Sequence, residues 1–224
     1  SRDWSSDVCS SDLSKACAEL VVEAFRHSYF ANGKIGLATV RAGNIIGGGD
    51  WAADRLIPDA MRAFAENRTL KIRNPNAVRP FQHVLDPVRG MVMLAERLAA
   101  APCEFGTGWN LGPAEEDTRP VGWMTERLAE LWGHTARWQT EASQGPHEAG
   151  LLVLSSAQAR TRLVWQPTWD THAATAHTVA WYRAFYDGAD MAPITRNQIN
   201  DHETASSAEQ DHDSHQSAEA KPAA

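Results

Sequence analysis

Four arginines, Arg55, Arg68, Arg73 and Arg79, fall within 25 residues of one another, interleaved with Asn67, Asn74 and Asn76. Guanidinium forks suit bidentate contacts to phosphate, so this stretch fits an anionic small-molecule ligand, although solvated surface arginines show the same spacing. The glycines Gly43, Gly47, Gly48 and Gly49 invite comparison with a phosphate cradle. No Lys-Ser/Thr pair follows them; Asp50-Trp51 stands there instead, placing a carboxylate where a phosphate would sit. The dinucleotide fingerprint G-x-G-x-x-G occurs nowhere in the chain. By spacing alone the loop is a flexible turn between a strand and a helix. His147-Glu148 has the composition of an acid/base pair, but neighbours in an extended loop point apart. Lys15 is by type alone a surface lysine. Neither a Ser-His-Asp nor an HExxH pattern occurs, and Cys9, Cys17 and Cys103 form no CxxC, which argues against a disulfide framework or a thiolate zinc site.

The elements that must position these residues follow from periodicity. Cys17, Leu20, Val21, Ala24, Phe25 and Ser28 make one helical stripe over 14–31, which Asn32-Gly33 ends. IGLATVR (35–41) is short, apolar and glycine-flanked, as a buried strand would be. Residues 43–54 then read as a loop, and 55–67 as a helix with Asp54 as its N-cap. Two extended pieces are expected around the Asn74-Pro75-Asn76 turn within 68–84. Asp86-Pro87 opens another helix, WNLG (109–112) is a strand, and 121–132, 156–163 and 171–187 are helical. Strands alternating with helices indicate an α/β layer architecture, with too few strands for a complete doubly wound sheet.

The chain has 224 residues, 43% hydrophobic and 22% charged, with a net charge of −7. Its excess acid lies at the two ends, and residues 14–200 are neutral. A neutral body without a basic stripe argues against nucleic-acid binding. No apolar run approaches the roughly 20 residues that cross a bilayer, and no signal-peptide pattern is present, so a cytoplasmic location is expected. Residues 201–224 hold six acids, one base and no aromatic residue, the composition of a disordered acidic tail. Residues 2–13, RDWSSDVCSSDL, resemble the translation of a sequencing-library adapter. Residues 1–13 are therefore expected to be a non-native leader, and the gene to be truncated at its 5′ side.

Long stretches carry a resemblance to a known family: SKACAELV (14–21), TVRAGNIIGGGDWAADRLIPDAMRA (39–63), IRNPNAVRPFQHVLDPVRGMVMLAERL (72–98), WNLGP (109–113), HEAGLLVL (147–154) and LVWQPTWD (163–170). Over about 14–200 the chain resembles the C-terminal part of the extended short-chain dehydrogenase/reductase family of nucleotide-sugar dehydratases and epimerases. The resemblance implies part of an NAD-binding Rossmann-type α/β fold together with the small substrate-binding α/β subdomain. It implies NAD as cofactor, CDP-glucose or a related nucleotide sugar as substrate, and a homodimer for the intact enzyme. The stripe from Cys17 to Phe25 would serve that dimer or pack on the sheet.

In that family a lysine holds the nicotinamide ribose and lowers the pKa of a tyrosine four residues before it. Lys15 matches the lysine, but Ser11 occupies the tyrosine position, so the catalytic tyrosine is absent. Asn44 matches an asparagine on the sugar-nucleotide diphosphate. Arg55, with Leu56, Ile57 and Pro58, matches the start of a helix near the nucleotide, and Arg79 matches an arginine that clamps the diphosphate. Asn110 falls where the family lines the nucleotide pocket, and His147-Glu148 on a loop reaching over it. Ser155 and Gln158 depart from the Asp and Lys more usual in relatives. No metal ligand set is implied.

Overall fold

A computed structural model describes residues 10–141 and 150–219. In chain order the elements are α1 (Ser10–Tyr29), β1 (Thr39–Ala42), β2 (Asn44–Ile46), α2 (Leu56–Ala65), β3 (Thr69–Ile72), β4 (Val78–Arg79), β5 (Phe81–His83), α3 (Leu85–Ala100) and the one-turn α4 (Pro102–Phe105). They continue as β6 (Gly108–Leu111), β7 (Arg119–Pro120), α5 (Val121–Trp132), β8 (Arg137–Thr140), α6 (Thr171–Tyr186) and α7 (Met191–Glu219). Strands pair in twos. β1 with β6, β2 with β5 and β3 with β8 are parallel, and β4 with β7 is antiparallel. Parallel pairs need crossover connections, and the helices between the partners supply them.

Two apolar cores result. In the first, Leu94, Phe105, Trp109, Leu111, Leu163 and Trp165 pack between α3, β6 and the turn of helix at 159–163. In the second, Met61, Phe64, Leu70, Phe81, Met124, Leu128, Val179 and Tyr182 join α2, α5 and α6 to the short strands. Polar bonds tie the two cores together. Gln82 Nε2 donates to the Leu111 carbonyl at 2.8 Å, and the fully buried Asp86 accepts from the Thr168 amide at 2.6 Å. α6 begins at the cap Asp170, whose carboxylate accepts from the Ala173 amide at 2.7 Å.

Several expectations are corrected. Strand β2 lies inside the stretch read as loop 43–54, because Asn44 and Ile46 find backbone partners along β5. Residues 68–84 form three extended pieces, not two. Asp54 does not cap α2: its backbone is left-handed, with φ 61°, and Arg55 takes the cap position without a side-chain cap bond. The stripe on α1 is solvent-exposed, with Leu20 at 66%, Val21 at 56% and Phe25 at 50%. The disordered tail expected from Asp201 is instead helical through Glu219. Its composition hides the reason. His202, only 3% exposed, bonds Asp86 across 2.9 Å, and Gln198 Nε2 donates to the His177 carbonyl at 2.7 Å, so tertiary anchors hold a helix that lacks an apolar stripe.

Candidate functional site

A cleft of about 490 Å3 opens where α1, the β1–β2 junction and the start of α2 converge, lined by Lys15, Gly43, Asn44, Asp50, Asp54, Arg55 and Leu152 among others. Three of the sequence-predicted residues meet here. Lys15 reaches it from the first turns of α1, Asn44 from the head of β2, and Arg55 from the N-terminus of α2. Each position is set by backbone. The Asn44 amide donates to the Pro80 carbonyl at 2.8 Å, fixing the end of β2 against β5. Arg55 stands at a helix N-terminus, where free amides and the helix dipole favour anions. The charged lining is balanced, two cations against the carboxylates of Asp50 and Asp54.

One wall of the cleft is the loop from Gly47 to Asp54, which the sequence reading set aside as a flexible turn. The structure pins it to α6. Trp51 lies against Tyr182 with ring centroids 5.2 Å apart, edge to face, and against Phe185 at 4.8 Å. The Tyr182 hydroxyl donates to the Asp50 carbonyl oxygen. Burial, reinforced by the nearby Asp50 charge, pushes the Tyr182 phenol up to about 12, so it remains a donor throughout the neutral range. The Asp50 carboxylate accepts from the Ala52 amide at 3.0 Å and from Arg55 Nη1 at 3.2 Å. A Cβ at Gly48 would lie 2.1 Å from the Trp181 ring. Gly48 thus serves close packing on an indole. Asp50 and Tyr182 are the residues that sequence reasoning missed; the glycine run followed by Asp-Trp was the only local signal, and the partner lies 132 residues away.

The remaining predicted residues lie elsewhere. Arg79 is on β4, opposite Arg119 in register, with Nη1 donating to the Val78 carbonyl at 2.9 Å, and it is not among the residues lining the cleft. Asn110, on β6, is engaged on both sides of its amide. It accepts from Arg41 Nη1 at 3.2 Å and donates to the Ser155 carbonyl at 3.1 Å. Arg41 also donates to Glu19 at 2.8 Å, and that bond holds the Glu19 carboxyl below its ordinary range. Glu19 and Arg41, but not Asn110, line a second groove of about 1060 Å3 between α1 and β1, and Lys15 faces both spaces. Ser11 lies in α1. His147 and Glu148 lie outside the described residues. Among the described residues no cluster of three His, Cys, Asp or Glu side chains could hold a metal ion, and no helix is long and apolar enough to cross a membrane.

The structure also tests whether these residues fit a dinucleotide. They do not suffice for one. Gly48 turns toward the Trp181 ring, the fingerprint glycines are absent from the sequence, and Lys15 is the one residue matched to a cofactor contact.

Residues 12–112 match the NAD dependent epimerase/dehydratase family. The chain is 44% identical over 197 residues to CDP-glucose 4,6-dehydratase of Salmonella typhimurium, covering 86% of this chain and 55% of that protein. It therefore spans about half the length of this curated relative. Among solved structures, the UDP-glucuronic acid 4-epimerase of Bacillus cereus, in complex with UDP-glucuronic acid and NAD, superimposes with a TM-score of 0.66 at 18% identity, over 81% of this chain and 58% of that one. The dTDP-glucose 4,6-dehydratase of Bacillus anthracis, in complex with NAD, gives 0.65 at 17% identity, over 84% and 55%. At such identities the structural likeness speaks for the fold, which is that of the Rossmann-type epimerases and dehydratases.

Proposed function

We propose that this chain, whose residues 12–112 match the NAD dependent epimerase/dehydratase family, is the C-terminal, nucleotide-sugar-binding part of a CDP-glucose 4,6-dehydratase. The observation that carries the reading is the convergence of Lys15, Asn44 and Arg55 on one cleft, in a chain 44% identical to that enzyme of Salmonella typhimurium. In the whole protein the reaction converts CDP-D-glucose to CDP-4-dehydro-6-deoxy-D-glucose and water, with NAD as an internally recycled redox partner.

This chain's own share is binding and orientation. Arg55 presents its guanidinium to the diphosphate at a helix N-terminus, the Asn44 side-chain amide offers a neutral donor beside it, and Lys15 is the residue matched to the nicotinamide ribose. No redox step is assigned to the chain alone, because Ser11 occupies the tyrosine position and a serine hydroxyl is too weakly acidic for that proton transfer. That substitution favours a second reading, a sugar-nucleotide-binding fragment without catalysis. A homodimer through α1 and a cytoplasmic location complete the proposal for the intact enzyme.

Isothermal titration of the full chain with CDP-glucose tests the binding reading. Saturable binding is expected, at least tenfold weaker in Arg55→Gln. An assay with NAD and CDP-glucose should yield no 4-keto product. The absence of binding at millimolar CDP-glucose would refute the assignment, and turnover would refute the division of labour.

A further inference from the structure

The loop from Gly47 to Asp54 is anchored to α6 and also to α2, where Arg62 Nη1 donates to the Trp51 carbonyl at 2.9 Å. Trp51 is inserted among Tyr182, Phe185 and Tyr186, and the Tyr182 hydroxyl holds the Asp50 backbone carbonyl. The side chain of Asp50 is fixed in turn by the Ala52 amide at 3.0 Å. Its second carboxylate oxygen takes the Arg55 guanidinium at 3.2 Å. The two partners differ in freedom. The Asp50 side chain is 34% exposed and held by the loop, whereas that of Arg55 is 66% exposed. An ion pair so wet is worth little, so Arg55 can exchange partners at small cost. Asp50 cannot follow it.

We infer that Asp50 is a specificity-determining residue of the cleft, an anchored anion that occupies Arg55 when no ligand is bound and must yield it to an entering diphosphate. The inference rests on the reading of the cleft as a diphosphate site. Two consequences follow from charge. Every anion that takes Arg55 does so beside the fixed Asp50 carboxylate, so the cleft binds polyanions less tightly than its cations alone would allow. Selection then falls on ligands that earn affinity elsewhere, from base and sugar, and against bare phosphates. The function of Asp50 is exclusion as much as positioning.

The test compares the wild-type chain with Asp50→Asn, Arg55→Gln and the double variant, by calorimetric titration with inorganic pyrophosphate and with CDP. Asn keeps the size and the acceptor oxygen of Asp50 and removes only the charge. Asp50→Asn is expected to bind pyrophosphate about three- to tenfold more tightly than wild type, a change of the order that one unit charge at the edge of a solvated cleft produces. CDP should gain less, because part of its affinity comes from the base. In the Arg55→Gln background the Asp50→Asn gain should vanish, a coupling that a merely structural role for Asp50 would not produce. Thermal melts of all four chains exclude misfolding as the cause. Equal or weaker pyrophosphate binding by Asp50→Asn, an equal gain without Arg55, or no binding by any chain would each overturn the inference. Failure of the diphosphate reading shows differently: wild type would then ignore CDP-glucose as well, whereas a failure confined to Asp50 leaves wild-type binding intact.

Discussion

An added Cβ at Gly43 would lie 2.3 Å from the Pro80 carbonyl oxygen, the acceptor that also receives the Asn44 amide. Backbone on both sides leaves nothing that can rotate away. Gly43→Ala should therefore destabilise the chain by about 1–3 kcal/mol, the usual cost of overpacking, and weaken CDP-glucose binding by moving Asn44; urea melts and titration measure the two effects. His83 gives a second residue-scale prediction. Burial, then the neighbouring His177 and His202, pull its pKa down to about 3. The unfolded chain has an ordinary histidine near 6.5 and binds a proton that the folded chain refuses. Stability from this group is thus complete above pH 6.5 and drains away as pH falls from there toward 3. Between pH 6.5 and 5 the loss is about 2 kcal/mol for one fully neutral histidine. Urea unfolding across this range should show that drop, and His83→Asn should flatten it.

At the scale of elements, α7 is held by chemistry that its own sequence does not display. His202 meets Asp86, itself 0% exposed, and sits edge-on to Trp169, whose other face stacks on His177 at 3.8 Å. Removing the imidazole leaves the buried Asp86 carboxyl one hydrogen-bond partner short, with only the Thr168 amide remaining, at a cost of about 1–3 kcal/mol. His202→Ala should lower stability by that order, and hydrogen exchange along 191–208 should rise before the rest of the chain responds; unchanged exchange would show that α7 is held some other way. Helices with an apolar stripe, such as α2 and α5, were legible in sequence because their causes are local. α7 was not, since its anchors lie 116 residues from His202 to Asp86 and 21 from Gln198 to His177. The same holds at the site. Family resemblance singled out Lys15, Asn44 and Arg55, which line one cleft, and equally Arg79 and Asn110, which do not line it, whereas the tether from Tyr182 to Asp50 required two distant segments to be seen together.

At the scale of the whole molecule, the strand that leads into the cleft has a neighbour on one side only: among the described residues β1 pairs with β6 and with no other strand. Beside that open edge α1 exposes Leu20, Val21, Phe25 and Tyr29. A free parallel edge next to a continuous apolar surface is a template for association, and the chain spans only 55% of the curated relative that it resembles. Net charge of −7 opposes aggregation only weakly when so much of it lies at the ends. The isolated chain should therefore self-associate at micromolar concentration, seen as a rising weight-average mass in sedimentation equilibrium. Replacing Leu20, Val21 and Phe25 by Glu, Lys and Gln should restore the monomer without lowering the melting temperature by more than a few degrees, because those residues are already exposed by half or more. A monodisperse wild-type chain at high concentration would mean that the exposed stripe and the open edge are tolerated as they stand, and association would then have to be sought through a different face.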